Sequence, residues 1–305
     1  ENRTMALLKN VVGIVSGGAS GLGAATVAHI VRLGGRVVVA DLPSQHESFL
    51  RLATASCADA AVAADTSVSS LQSSPDDGQD RTSVSSLPSP ANGPVLAFAD
   101  TDVTNEDQVS AALDLAESEF GEPVNVAVSC AGIGTARKVL SRPKEGDARP
   151  RVHPLSEFSN ALQVNTIGTF NVSRLAAQRM AVRKPDHEGM RGVIINTSSI
   201  AGLEGQRGQV AYAASKSAVI GMTLPMARDL APYGIRVMSV APGLFQTPLL
   251  SGLPEKVQAE LGQMVPCPSR LGDPDEFGRL VVSILTNPML NGETIRLDGA
   301  LRMPP

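Results

Sequence analysis

Tyr212 and Lys216 stand four residues apart in Tyr212-Ala213-Ala214-Ser215-Lys216. On a helix that spacing puts a phenol and an ammonium on one face. A free tyrosine titrates at about pH 10, too high for ready proton exchange at neutral pH. A neighbouring Lys cation, joined by the positive charge of a bound oxidised cofactor, favours the phenolate and is expected to lower the Tyr212 pKa. Tyr212 then serves as a base toward an alcohol and as an acid toward a ketone. Taken alone, such a pair is usually a solvated helix face, and its neighbours decide its meaning. Ser199, in Thr197-Ser198-Ser199, follows an apolar strand pattern and offers a hydroxyl to a substrate oxygen. Asn165 interrupts an otherwise apolar helical pattern and is a candidate for holding a water that relays protons to Lys216.

A second group of residues reads as a phosphate cradle. Ser16-Gly17-Gly18-Ala19-Ser20-Gly21-Leu22-Gly23 follows directly on a strand pattern and opens a helical one. Gly17, Gly21 and Gly23 let the main chain turn tightly and approach a pyrophosphate, whose charge meets the helix N-terminus. Asp41 ends the next strand pattern, where a carboxylate accepts hydrogen bonds from the ribose of an adenosine and repels a 2′-phosphate. No Arg or Lys sits in the glycine loop to attract such a phosphate. NAD rather than NADP is expected, the alternative being that Asp41 only caps the turn into Leu42-Pro43. Asp102 and the turn Cys130-Ala131-Gly132 end two further strands on the same rim and are candidates for holding the adenine and a ribose.

These residues need elements that bring them to one edge. Short apolar runs at 11–16, 36–41, 95–99, 124–130, 192–197, 235–241 and 294–297 read as strands. Helical patterns at 22–33, 106–120, 158–181 and 211–230 separate them. Nearly continuous apolar strands alternating with helices indicate a parallel sheet covered on both faces. The expectation is an α/β fold, a doubly wound, Rossmann-type parallel sheet, in a single domain over 5–305. Residues 58–94 are rich in Ser, Asp, Gly and Pro, and the run at 66–71 recurs word for word at 82–87. This stretch is expected to be a disordered low-complexity insertion and is excluded from the predicted fold.

Composition narrows the classes. Hydrophobic residues at 43% and charged residues at 18% suit a soluble globular enzyme, and aromatics at 3% leave the core to aliphatic side chains. A net charge of −4 offers no overall basic footprint, so neither direct nucleic-acid binding nor membrane binding is expected. Cys57, Cys130 and Cys267 lie far apart, and His29, His46, His153 and His187 show no paired spacing. Neither a disulfide framework nor a metal site is expected, and a reducing compartment is. The sequence has no apolar run of about 18 residues to span a membrane. The few residues before the first strand leave no room for a secretory signal peptide. The loop at 134–154, which leaves the fourth predicted strand, carries Arg137, Lys138, Arg142, Lys144, Arg149 and Arg151 against Glu145 and Asp147. Two readings stay open for it: cations for an anionic ligand, or a solvated mobile loop.

The set formed by the loop at 16–23, Asp41, Cys130-Ala131-Gly132, Asn165, Ser199 and Tyr212 to Lys216 resembles the short-chain dehydrogenase/reductase family. The resemblance covers the chain apart from the insertion and the loop at 134–154. It implies a catalytic set of Asn165, Ser199, Tyr212 and Lys216. It also implies NAD contacts at Ser20, Leu22, Asp41, Asp102, Val103, Cys130, Tyr212, Lys216, Phe245 and Thr247. Within the family, Met222-Thr223-Leu224-Pro225, Ala241 to Phe245, Thr247-Pro248-Leu249-Leu250, Leu253 to Val257, Arg270-Leu271-Gly272 and Leu290-Asn291-Gly292-Glu293 are similar to a branch that oxidises 3-hydroxyacyl-CoA in fatty-acid or branched-chain amino-acid breakdown. That branch implies a small-molecule substrate, a homotetramer and a mitochondrial location, with the cytoplasm or peroxisome as alternatives. Relatives accept 17β-hydroxysteroids or reduce 3-oxoacyl groups, and one in animals is a scaffold subunit of a mitochondrial transfer-RNA processing complex. Ser16 stands where the family usually has Thr, Ser129 where it has Asn, and Cys267 where an aromatic residue is expected. The last of these bears on acyl or steroid preference.

Overall fold

The computed structural model describes residues 7–62, 86–89, 93–143, 145 and 148–304. In chain order, β1 (Val12–Ser16) leads to α1 (Gly21–Arg32), β2 (Arg36–Asp41), α2 (His46–Val62), β3 (Ser86–Ser89) and β4 (Gly93–Asp100). α3 (Glu106–Phe120) and β5 (Val126–Ser129) follow, then a short hairpin of β6 (Leu140–Ser141) and β7 (Arg151–Val152). α4 (Leu155–Leu162) runs through one wide π turn (Gln163–Gly168) into α5 (Thr169–Ala181), β8 (Gly192–Thr197), α6 (Val210–Leu230) and β9 (Ile235–Pro242). α7 (Pro248–Ser251), α8 (Glu255–Gln263), α9 (Pro274–Thr286) and β10 (Thr294–Leu297) complete the described chain.

The main sheet has the order β10-β9-β8-β5-β1-β2-β4-β3, and every pairing is parallel except that of β3 with β4. Strand residues alternate between two apolar layers, which is why the strands read as unbroken hydrophobic runs. Ile14, Val38, Ala127 and Ile194 face α3, α5 and α6. Val15, Val39, Val128 and Ile195 face α1, α2 and α9. From β1 the chain winds outward through β2 and β4, then returns to the other side of β1 at β5. That reversal opens a crevice beyond the carboxyl ends of β1 and β5, the place where open α/β sheets bind ligands.

The expected parallel, Rossmann-type sheet is the observed one. Four details differ, one of them the β6–β7 hairpin, which lies inside the predicted loop at 134–154. The predicted helix at 158–181 is two helices joined by the π turn that contains Asn165. The chain between Phe245 and Thr294, for which no helix is expected, holds α7, α8 and α9. Of the stretch 58–94, excluded from the predicted fold, residues 58–62 finish α2, β3 adds an antiparallel edge and 93–94 begin β4. An edge strand four residues long offers too little periodicity to be read beside a low-complexity run. The rest of the insertion lies outside the described residues, and so does the expectation of its disorder. No helix among the described residues is long and apolar enough to cross a membrane.

Candidate active site

The wall on the β1–α1 side is made of main chain. Gly17 and Gly21 adopt φ of 65° and 51°, in the left-handed region that side chains disfavour. A Cβ on Gly17 would lie 2.6 Å from the Ala131 nitrogen, and one on Gly23 only 2.1 Å from the Gly17 carbonyl oxygen. The glycine loop and the turn at 130–132 therefore touch backbone to backbone. The strand ladder continues past its ends, with Gly17 N–H donating to Ala40 O at 2.9 Å and Cys130 N–H to Ser16 O at 2.9 Å. Ser20 is the N-cap of α1, yet its hydroxyl makes no capping bond, and the first turn carries no acid. The uncapped N–H groups and the positive end of the helix dipole are left for an anion. This cradle fits the pyrophosphate of a dinucleotide.

Asp41 caps the turn into Leu42, as the alternative reading had it, and makes a second bond that was not foreseen. One carboxylate oxygen accepts from Ala19 N–H at 3.0 Å and the other from Leu42 N–H at 2.9 Å, so the side chain ties the glycine loop to the end of β2 and also caps the turn. Burial pushes its pKa up, and the two backbone donors pull it back. Thr247 and Pro248 lie against Gly21, where a Cβ would meet their atoms at 3.3–3.4 Å, so the start of α7 closes over the loop. Phe245 is buried with its ring against Gly272. Asp102 sits exposed at the rim, its carboxylate accepting from the N–H and hydroxyl of Thr104. Val103 points into the core against Gly168. Cys130 approaches the Thr197 hydroxyl at 3.5 Å, and burial lifts its thiol to about 11.

The wall on the β8–α6 side is made of side chains. Lys216 is buried and donates through Nζ to the Thr197 carbonyl at 2.9 Å. Its Nζ lies 5.9 Å from the Tyr212 ring centroid. Asn165 Nδ2 donates to Ile133 O at 2.9 Å and to the Ser215 hydroxyl at 3.0 Å, while its Oδ1 accepts from Ile133 N–H at 2.8 Å. The π turn presents this amide inward, and such turns often mark functional positions. A Cβ on Gly132 would fall 3.0 Å from Asn165 Oδ1 and 3.5 Å from Lys216 Nζ, so the missing side chain leaves a gap that both share. Ser199 Oγ accepts from Ala201 N–H at 3.1 Å and hydrogen-bonds the Tyr212 phenol.

The four residues proposed for catalysis thus converge, but of the two charges expected to lower the Tyr212 pKa, Lys216 contributes nothing. Burial raises the Tyr212 pKa and the Ser199 hydrogen bond only opposes it; Lys216 does not lower it. The ammonium instead donates to the Thr197 carbonyl and is itself pushed by burial down to about 8. Sequence reasoning also missed supporting residues. Ser215 lies inside the Tyr–Lys motif and bonds both Asn165 and the Tyr212 carbonyl, while Ser198 donates to the Lys216 carbonyl at 2.8 Å. Glu204, just past Ser199, joins Arg296, Asp298 and Arg302 in a charge knot that pins the end of the described chain beside the site. Nothing in the spacing signals that Glu204 meets the other three.

Comparison with known proteins agrees with this geometry. A family model described as short chain dehydrogenase matches residues 54–258. The chain is 48% identical over 298 residues to the 3-hydroxyacyl-CoA dehydrogenase type-2 of Bos taurus, covering 98% of this chain and 97% of that one. It is 47% identical over 299 residues to the Homo sapiens protein of the same name, with the same coverage. The crystal structure of 3-hydroxyacyl-CoA dehydrogenase type-2 from Mycobacterium avium superposes with a TM-score of 0.78 at 36% identity, covering 98% of both chains. A glycine cradle at the switch point, a Ser–Tyr–Lys cluster on the facing wall and these matches lead to one conclusion: the chain belongs to the short-chain dehydrogenase family and is an oxidoreductase that works with a nicotinamide cofactor.

Proposed function

We propose that this protein is an NAD-dependent 3-hydroxyacyl-CoA dehydrogenase that interconverts 3-hydroxyacyl-CoA and 3-oxoacyl-CoA. The observation that carries the reading is the meeting of the Ser199 and Tyr212 hydroxyls, with Lys216 and Asn165 behind them, on the strand-end rim that holds the uncapped glycine loop. Similarity over nearly the whole chain to dehydrogenases of that name supports the substrate class. The Asp41 carboxylate at the end of β2, with no cation in the glycine loop, supports NAD over NADP. The contact residues proposed above for NAD belong to the same reading.

When bound, NAD supplies the hydride acceptor and a positively charged ring. The chain's own residues handle the proton. Ser199 Oγ orients the substrate oxygen, and Tyr212 takes the hydroxyl proton during oxidation or returns it during reduction. Burial keeps the phenol protonated in the free protein, so its deprotonation awaits a cation brought into the cleft. Lys216, with its pKa lowered to about 8, is poised to exchange a proton with solvent near neutral pH. Asn165 holds the Ile133 loop and turns Oδ1 toward the gap beside Lys216, where a relaying water belongs.

A homotetramer and a mitochondrial setting are part of the proposal, resting on the family resemblance. Exposed apolar side chains at Ile167, Phe170, Leu224 and Met289 support assembly. The test is Tyr212→Phe, for which turnover of a short 3-hydroxyacyl-CoA should fall by roughly 10²–10⁴ while NAD still binds in a fluorescence titration. Undiminished turnover removes the mechanism. A wild-type preference for a 17β-hydroxysteroid over every 3-hydroxyacyl-CoA offered removes the substrate assignment.

A further inference from the structure

We infer that Arg296 and Glu204 are positioning residues for Ser199: the clasp they form lets the segment after β10 set the Ser199 turn against the connection between α8 and α9. The inference rests on the dehydrogenase reading above, in which Ser199 orients the substrate oxygen. The Ser199 turn is short. It is one turn of 3-10 helix (Ile200–Gly202), in which Gly202 N–H donates to Ser199 O at 2.9 Å and Glu204 N–H to Ile200 O at 2.8 Å. A single such turn is too small to hold its own shape, so the place of the hydroxyl is set by what grips its far end. That end is Glu204.

Arg296 leaves β10 and forks onto Glu204, with Nη1 donating to Oε1 at 2.8 Å and Nη2 to Oε2 at 3.3 Å. Its Nε donates to Asp298 Oδ2 at 2.8 Å, and Nη2 also donates to the Leu301 carbonyl at 2.9 Å. All three guanidinium nitrogens are thereby used. The side chain is only 23% exposed, and a bidentate pair shielded to that degree fixes geometry better than a surface ion pair. From the other side Met303 N–H donates to Glu204 Oε2 at 3.4 Å, and Arg302 Nε stands 3.2 Å from Oε1.

The chain between these contacts is strained. Gly299 and Ala300 both take positive φ, 58° and 68°, and among the described residues Ala300 is the one non-glycine to do so. Left-handed backbone is unfavourable for an alanine and persists only where its surroundings over-determine it. Asp298 supplies that constraint, its Oδ1 accepting from Ala300 N–H at 3.0 Å and its carbonyl from Leu301 N–H at 3.0 Å. The turn then reaches two ways. Leu301 is buried in one small apolar cluster with Ile200, the neighbour of Ser199, and Val265. Gly299 lies so close to the α8–α9 connection that a Cβ on it would fall 2.5 Å from Val265 Cγ1, and its carbonyl accepts from Cys267 N–H at 3.2 Å. One arginine therefore locks the Ser199 turn, the strained turn and the α8–α9 connection together. Without the fork Glu204 is released and the Ser199 hydroxyl drifts; a displacement of about 1 Å costs on the order of 10²-fold in rate.

The test counts active sites before it measures rates. In Arg296→Gln, kcat for 3-hydroxybutyryl-CoA should fall by roughly 10–100-fold per NADH site counted by fluorescence titration, while the NADH Kd stays that of the wild type. Glu204→Gln should behave alike, and the double variant should be no slower than the slower single one, because both act through one contact. Arg296→Lys, which keeps the charge but not the fork, should lie between. A merely structural role would lower the number of sites and leave kcat per site alone. That result, or losses that multiply in the double variant, overturns the inference and leaves the dehydrogenase reading standing. Hydrogen exchange needs no turnover and decides the clasp even if wild type oxidises no 3-hydroxyacyl-CoA, the outcome that sinks the substrate reading instead. In Arg296→Gln the amides of 201–204 and of Cys267 should lose protection together. Loss confined to 296–303 overturns the clasp.

Discussion

The two walls of the cleft are built from different material. The β1–α1 wall is backbone and glycine, with contacts that an added methyl would close. The β8–α6 wall is a set of buried polar side chains, each satisfied by a partner distant in sequence, as Asn165 is by Ile133 and Lys216 by Thr197. A backbone wall recognises what every dinucleotide shares, a phosphate bridge, and does so without side-chain entropy or charge. A side-chain wall sets a reaction, and it carries the desolvation of an ammonium and a phenol. The first wall should therefore fail by steric occupation and the second by loss of charge.

The largest effect is expected where the backbone wall is tightest. Gly23→Ala sets a Cβ 2.1 Å from the Gly17 carbonyl, closer than real contacts allow, so the loop must open. NAD affinity should fall by roughly a hundredfold or more, the scale of a displaced set of phosphate hydrogen bonds. Calorimetry reads it, and unaltered affinity would mean that the loop is not the cradle. Next comes Lys216→Met. Turnover should collapse while the fold gains on the order of 2 kcal/mol at neutral pH, because a desolvated ammonium is removed at the loss of one hydrogen bond. The sign follows from linkage. With the folded pKa depressed from 10.5 to about 8, the unfolded chain binds more protons between those values, so wild-type stability rises with pH across that window. The stability gap between variant and wild type should be widest below pH 8 and narrow above it. Melting curves at a series of pH values check this, and a constant gap would sink it. The smallest effect belongs to Asp41→Ala, the one side chain that the backbone wall depends on. It should weaken NAD and narrow its advantage over NADP by about tenfold, as expected for a lost carboxylate–ribose contact. An unchanged ratio, measured by initial rates with each cofactor, would leave Asp41 as a turn cap alone.

The site was legible in sequence to the extent that its signals are local. Gly17, Gly21 and Gly23 stand out because a strand, a glycine turn and a helix N-terminus are consecutive. Tyr212 and Lys216 stand out because one helical turn joins them. The direction of their titration was not legible. The lysine one helical turn from the phenol suggested one source of a lowered pKa, and the structure removes that source because burial acts on both groups while the ammonium bonds Thr197. The π turn at Gln163–Gly168 was hidden for a similar reason: its helical periodicity is nearly intact, and only packing against Ile133 and Ser215 shows the extra residue. The hairpin at 140–152 fell inside a loop that reads as charge without periodicity.

By itself the sequence determined the order of the seven parallel strands, the chemistry of the residues at their ends, and the family. Each of these follows from neighbours along the chain, through backbone sterics, apolar period and helical spacing. Only the tertiary structure decided that β3 turns antiparallel onto β4, that Glu204 meets Arg296 and Arg302, and that Lys216 is pressed toward neutrality while Tyr212 is held protonated. Those outcomes depend on how much water is excluded and on which distant partners arrive, and both are sums over the whole fold.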